Sequence, residues 1–525
     1  KTPADTLKLH YHGKPVFSPQ RRLGDMPQGV ISEEGVYLDG ASAWYPLFDR
    51  DLDAVDLEVE LPDGWQAVSI GRRAESEDSV SWKTRATHDD LYLIAGRFAR
   101  HTRRHNDVDL SVYLLQDDAE LAERYLGLIG SYIDHYSRLI GSYPYAKFAV
   151  VENRWQTGFG MPSFTLLGSR VMRLPFIPYT SLPHEILHNW WGNGVWIDYA
   201  NGNWSEGLTA YLADHWMQAR EGKGDQYRLK ALQRYSNFAA QGRDLPMRDF
   251  VSRHNDATQS IGYSKSLMLF HMLRSALGDE AFVDGLRRLW QTHRHTRVCF
   301  AETVRTIAAT DQAVSERFLP WLERAGAPRI RLVASEVRAL DDGWTLDLTV
   351  DQAQDAPFAF DLPVLVTLHG EERARRLLAP ISGRRSLLEY RFNKRPLRVD
   401  LDPEYDVLRY LDPTEQPPAL NRLFGSSQAW LVLPDAAPEA MRAAWEALAA
   451  SWQRRYPTLQ VIGDASAAEL PPDADRLLLG WDNALLNHAR EAFSRDEQSL
   501  GQHDVTVDGT RYRGDATGTV PVSYT

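Results

Sequence analysis

One stretch limits what this chain can become: His184-Glu185-Ile186-Leu187-His188, followed by Glu206 in Asn203-Trp204-Ser205-Glu206-Gly207. On an α-helix, residues four apart share a face about one turn apart, so both imidazoles can address one point. A second helix opening at Glu206 can add a carboxylate. Two imidazole nitrogens and one carboxylate oxygen suit a single zinc ion, Zn2+, with a fourth position open for water. Glu185, set between the histidines, can take a proton from that water. Any fold of this chain must therefore bring two helices to one place.

The flanking residues supply the helix signals. Thr180 or Ser181 can cap the first helix, Pro183 suits its first turn, and Gly192 and Gly194 fit its exit. Asn203 or Ser205 can cap the second, which puts Glu206 in a first turn.

At 525 residues the chain exceeds what one hydrophobic core organises, so several domains are expected. The formal charge of −12 argues against nucleic acid as a partner. No apolar run reaches the roughly 20 residues of a transmembrane segment. The one cysteine, Cys299, cannot form an intrachain disulfide and reads as a small apolar residue. With a chain that opens at Lys1 and shows no signal-peptide pattern, it tilts the expected location toward periplasmic or secreted rather than cytoplasmic.

The periodicity changes character along the chain. Residues 1–117 carry short alternating runs between Pro, Gly and Asp turns, the pattern of a β domain. From 118 to 327, apolar residues recur at three- and four-residue intervals, as in a mostly helical domain. Residues 328–411 return to short strands and read as a β-sandwich. A proline-rich linker at 412–424 leads to a small α/β domain at 425–525, with an Asp-Gly hairpin near its end. The expected fold class is thus α+β and multidomain.

Within the helical span, residues 147–155 read as a buried strand with Glu152 near its end. Gly158-Phe159-Gly160-Met161 follows as a glycine-bearing edge strand. Glycine there fits close approach by another backbone, such as a peptide substrate, or equally a bend in the sheet.

These residues resemble the aminopeptidase-N-like family of gluzincin metallopeptidases. HEILHNWWGN is similar to the family's H-E-x-x-H-x-W-x-G-N, and WSEG to its W-x-x-E-G. The resemblance covers about residues 30–410. It implies a saddle-like N-terminal β domain, a thermolysin-like catalytic domain and a β-sandwich. It also implies zinc on His184, His188 and Glu206, Glu185 as base, and Tyr263 of GYSKS as the phenol that stabilises the oxyanion. Gly158, Phe159, Gly160 and Met161 align with the substrate-binding G-x-M-E-N stretch.

The departures are specific. Seventeen residues separate His188 from Glu206, one fewer than usual in the family. Pro162 stands where the motif's glutamate holds the substrate α-amine, and Glu152 is the acid nearest in sequence that could substitute. Ser266 replaces a glycine, and the family's large C-terminal helical domain gives way to the α/β tail. The implied function is zinc-dependent hydrolysis of peptide or protein substrates, without the usual anchor for a free N-terminus. The alternative is a catalytically silent peptide-binding or scaffolding protein of the same fold.

Overall fold

The computed structural model describes residues 8–13, 29–46, 52, 54–77, 79–85, 87–154, 158–239, 243–412, 415–416, 420–426, 428–467, 469–470, 474–486, 499–500, 504–507 and 510–513. The architecture is multidomain α+β, with two compact units. The first comprises Lys1–Gly224 and Leu273–Leu319, the second Asp225–Met272 and Pro320–Thr525. The span 118–327, expected to be one domain, is thus shared between the units.

The first unit opens with β structure, as its alternating runs require. Val30–Ser32, Gly35–Leu38, Leu93–Gly96 and Gln66–Ser69 form a four-stranded antiparallel sheet in that order. Val55–Val59, Val80–Thr84 and Arg72–Glu75 form a three-stranded one.

A five-stranded mixed sheet then builds the platform for the site. Its strands are β1 (Ala99–His105), β2 (Val108–Leu114), β3 (Lys147–Asn153), β4 (Gly158–Met161) and β5 (Phe164–Gly168). The order across the sheet is β4-β5-β3-β2-β1, with β3 parallel to both β2 and β5. This sheet corrects the expected boundary at 117. β1 and β2 precede that point, yet β2 shares a main-chain ladder with β3 from beyond it. Parallel pairing needs a crossover, and helix α1 (Ala119–Leu139) supplies it. Asp118 caps α1 by accepting from the Leu121 N–H at 3.0 Å, and the helix buries Leu121, Tyr125, Leu126, Ile129, Ile133 and Tyr136 on one face.

Two short helices carry the motif residues: α2 (Ser181–Leu187) and α3 (Ser205–Thr209). After α3 the chain widens into a π-turn, Ala210–His215, and resumes as α4 (Trp216–Arg220). Neither expected cap at α2 acts through its side chain: the Thr180 hydroxyl donates to the Phe176 carbonyl instead. At α3 the Asn203 side chain accepts from the Ser205 N–H at 3.1 Å.

The second unit holds a second π-turn, Ser260–Lys265. It also holds two three-stranded antiparallel sheets spanning Ile330–Leu401, with buried residues alternating along Gly343–Gln352 and Phe360–Leu368 as the inner faces of a sandwich require. Helix Leu420–Gly425 occupies the end of the stretch expected to be a linker. Beyond it, Leu459–Gly463, Ala429–Leu433 and Asp475–Leu478 form a parallel sheet, and Asp504–Val507 pairs antiparallel with Thr510–Arg513.

Candidate metal centre

His184 and His188 sit at the C-terminal end of α2, where the His188 N–H still donates to the His184 carbonyl at 3.2 Å. The chain must then leave the helix sharply. Asn189 covers the exposed carbonyls, its side-chain amide donating to Ile186 O at 2.8 Å. Gly192 takes a φ of +108°, a left-handed conformation natural to glycine, which turns the chain back. A side chain there would also press on the Ser205 hydroxyl, 3.1 Å from the Cβ position.

Three donor atoms converge. The Nε2 atoms of His184 and His188 are 3.2 Å apart, and each lies 3.5 Å from Glu206 Oε2. Around a tetrahedral zinc at about 2.0–2.1 Å, donors stand about 3.3–3.4 Å from one another, so this triangle has the right size for three of four positions. Among the described residues Glu206 Oε2, which is buried, finds no hydrogen-bond partner, a costly state unless a cation takes it up. Among the described residues this is the group of histidine, cysteine and carboxylate side chains with metal-ligand geometry.

The outer nitrogens are fixed as well. His184 Nδ1 lies 3.1 Å from Asp214 Oδ2, and His188 Nδ1 lies 2.9 Å from the Trp191 carbonyl oxygen. Both partners accept only, so Nδ1–H is the donor, and in the neutral ring Nε2 keeps its lone pair facing the triangle. Burial disfavours charge on both imidazoles. The Asp214 and Glu206 carboxylates outweigh it for His184, and Glu206 for His188, so both are held above the ordinary histidine value. Burial would raise Glu206, but the two imidazoles bring it well below the carboxylate range. Glu185 moves the other way: burial raises it against the pull of His184 and His188, the direction suited to a group that must accept a proton.

Glu185 lies against β4. A Cβ built on Gly158 would stand 3.4 Å from one carboxylate oxygen of Glu185, and one on Gly160 2.7 Å from the other. Alternation along the strand sends Phe159 and Met161 the opposite way, into an apolar cluster with Tyr37, Leu91, Val151 and Phe164. Among the described residues β4 pairs only with β5 and forms the sheet edge.

Residues 180–321 match the model of the peptidase family M1 domain. In that segment the chain is similar to aminopeptidase-N-like M1 peptidases. It is 26% identical over 200 residues to aminopeptidase N of Lactococcus lactis subsp. lactis, covering 36% of this chain and 23% of that protein. It is 23% identical over 217 residues to aminopeptidase N of Rattus norvegicus, covering 37% and 22%. The matched segments thus span less than a quarter of these M1 relatives' own length. A crystal structure of Legionella pneumophila aminopeptidase A in complex with aspartic acid shares the fold. It covers 76% of this chain and half of its own, with a TM-score of 0.60 at 16% identity.

Not every residue expected to serve an M1 site is placed to do so. Glu152, the expected stand-in for the amine anchor, is buried and fully engaged. It accepts from Leu115 N at 2.7 Å, Ser169 Oγ at 2.6 Å and Arg173 Nη1 at 2.5 Å. Its carboxylate ties the ends of β2 and β3 to the turn after β5, which corrects its assignment to substrate binding. Met161 is likewise corrected: its side chain is core, and only its main chain belongs to the edge.

Tyr263 stands in the second unit, half-buried on the π-turn Ser260–Lys265. Lys265, two residues on, is completely buried and holds that turn by donating to Asp244 Oδ2 at 3.0 Å and to the carbonyls of Leu245 and Arg324. Asp214 escaped sequence reasoning altogether. Eight positions after Glu206, it lies about 80° around a regular helix from that residue, which hides any common purpose.

Proposed function

We propose that this chain is a zinc-dependent peptidase. The triangle of two imidazole nitrogens and one carboxylate oxygen, at zinc-donor spacing, carries that reading. His184, His188 and Glu206 hold one zinc ion, which when bound supplies Lewis acidity toward water and a carbonyl. Glu185, pressed against the bare backbone of Gly158 and Gly160, takes the proton of the attacking water and returns it to the leaving amine. The open side of β4 offers main-chain groups to an extended peptide, which brings the scissile bond past Glu185. Tyr263 donates its phenol proton to the oxyanion; the family resemblance supports that role.

Substrate choice departs from recognition of a free N-terminus. Pro162 replaces the amine-binding glutamate, and the Glu152 carboxylate is already taken by three donors. A peptide held by its main chain along β4 then has no ammonium requirement at either position, which favours internal or N-blocked substrates.

The test pairs two measurements on the purified protein. Glu185→Gln should keep zinc at one ion per chain and lose turnover on a peptide library. Hydrolysis retained by that variant rejects the mechanism, and zinc without hydrolysis in the parent supports the silent-binder alternative. A peptide and its N-acetylated twin should be cleaved at similar kcat/KM; a strong preference for the free amine rejects the substrate reading.

A further inference from the structure

His184 is gripped from both sides by one helix. Glu206 Oε2 lies 3.5 Å from its Nε2, and Asp214 Oδ2 lies 3.1 Å from its Nδ1. A regular α-helix does not allow this. At about 100° per residue, seven positions return to within about 20° of the start, whereas eight overshoot to about 80°. Asp214 is eight positions from Glu206 and would point away from the ring.

The π-turn Ala210–His215 removes the mismatch. A π-turn takes one more residue per turn than an α-helix. One such turn therefore absorbs the extra position and returns the eighth residue to the face that the seventh would occupy. The turn is supported by its own side chains: the rings of Tyr211 and His215 stack at 5.0 Å with 20° between planes, and Ala210, Tyr211, Leu212 and Ala213 are buried.

We propose that this π-turn is a register device, and that it makes Asp214 the positioning residue of His184. Asp214 keeps the proton on Nδ1, holds the ring plane, and leaves Nε2 as the donor toward the metal. The inference rests on the metal-centre reading for its zinc consequence, but not for its tautomer consequence. The nearest partner of His188 Nδ1 is a main-chain carbonyl, with the Ser205 hydroxyl at 3.3 Å beside it, so the two rings are held by different kinds of group.

Three chains decide it: the parent, Asp214→Asn, and the double variant Asp214→Ala with Ala213→Asp, which moves the carboxylate to the seventh position. Zinc affinity is read by chelator competition, and the imidazole tautomers of the metal-free proteins by nitrogen NMR, with His184→Gln assigning the signal. Asp214→Asn should weaken zinc about 10- to 100-fold. In the metal-free protein, at a pH high enough to leave His184 neutral, it should mix the His184 tautomers, with melting temperature little changed. The double variant should stay as weak, because the turn aims position 213 elsewhere. Zinc affinity and tautomer both unchanged in Asp214→Asn overturn the positioning role. Affinity restored in the double variant overturns the register role. A parent that binds no zinc overturns the metal-centre reading instead, and the tautomer measurement still decides the role of Asp214.

Discussion

Gly160 leaves room for Glu185: a methyl group on Gly160 would stand 2.7 Å from a carboxylate oxygen of Glu185 and 3.4 Å from the His188 Cβ. The glycine of the edge strand and the carboxylate between the histidines are therefore one packing unit. The edge strand and Glu185 cannot be altered separately.

Gly160→Ala should consequently damage turnover more than stability. The group that must move is the end of a flexible side chain, so unfolding free energy should change by less than about 1 kcal/mol. The displaced carboxylate should lower kcat about 100-fold, since an error of about 1 Å in a catalytic group costs that much. Zinc content should stay at one per chain. Full activity in the alanine variant would show that Glu185 does not need its observed place.

Glu152→Ala should unfold more readily by about 3 kcal/mol, because three donors lose a buried carboxylate. Urea denaturation measures this. The ratio of activity on free-amine and N-acetylated peptides should not move. A change in that ratio would return Glu152 to the substrate.

Tyr263→Phe should lower kcat far more than it raises KM, because a phenol that meets only the oxyanion stabilises the transition state. Lys265→Met should act in the same direction by loosening the turn that carries Tyr263. In the Tyr263→Phe background it should add little, and additive losses would separate the two residues.

Stability should rise from pH 7 to pH 9 through Lys147. Burial, helped by the charge of Arg73, lowers this ammonium from 10.5 to about 7 in the fold. Its amine donates to Ser163 Oγ at 2.8 Å. Between those pKa values the unfolded chain binds the proton and the folded chain does not. The contribution is therefore complete above 10.5 and disappears as pH falls to about 7. The slope is at most about 1.4 kcal/mol per pH unit. Lys147→Met should flatten it in chemical denaturation, and an unchanged slope would assign the dependence elsewhere.

Chelation should lower the melting temperature by several degrees, with recovery on adding zinc, because a ligand bound only by the fold stabilises it by mass action. His184→Ala should melt at the same temperature with or without chelator. A chelator effect that survives in this variant would locate the responsible ion at another site.

How much of this could be read beforehand depended on distance along the chain. The histidines and Glu185 obey the periodicity of one helix, so their convergence was visible at once. Glu206 needed only a second helix start. The glycines of β4 were recognisable as bare backbone, but not their neighbour: Glu185 lies 25 positions beyond Gly160. Glu152 was misread because its three partners come from one turn and a strand end, none adjacent to it in sequence. The boundary at 117 failed for the same reason, since a parallel ladder joins strands that a 21-residue helix separates. Asp214 was hidden because the rule used to read helices assumes a constant number of residues per turn.

The two rings of the centre differ in how they can change. His184 leans on a side chain, which one nucleotide change can replace, whereas His188 leans on the peptide carbonyl of Trp191, which every substitution at that position preserves. Change at the His184 side therefore acts directly on its partner, whereas at the His188 side it acts only through Ser205, whose hydroxyl donates to the Trp191 carbonyl at 2.7 Å. Variants selected for a different ion should accumulate changes around Asp214 and its turn, and leave the His188 side of the centre as it stands.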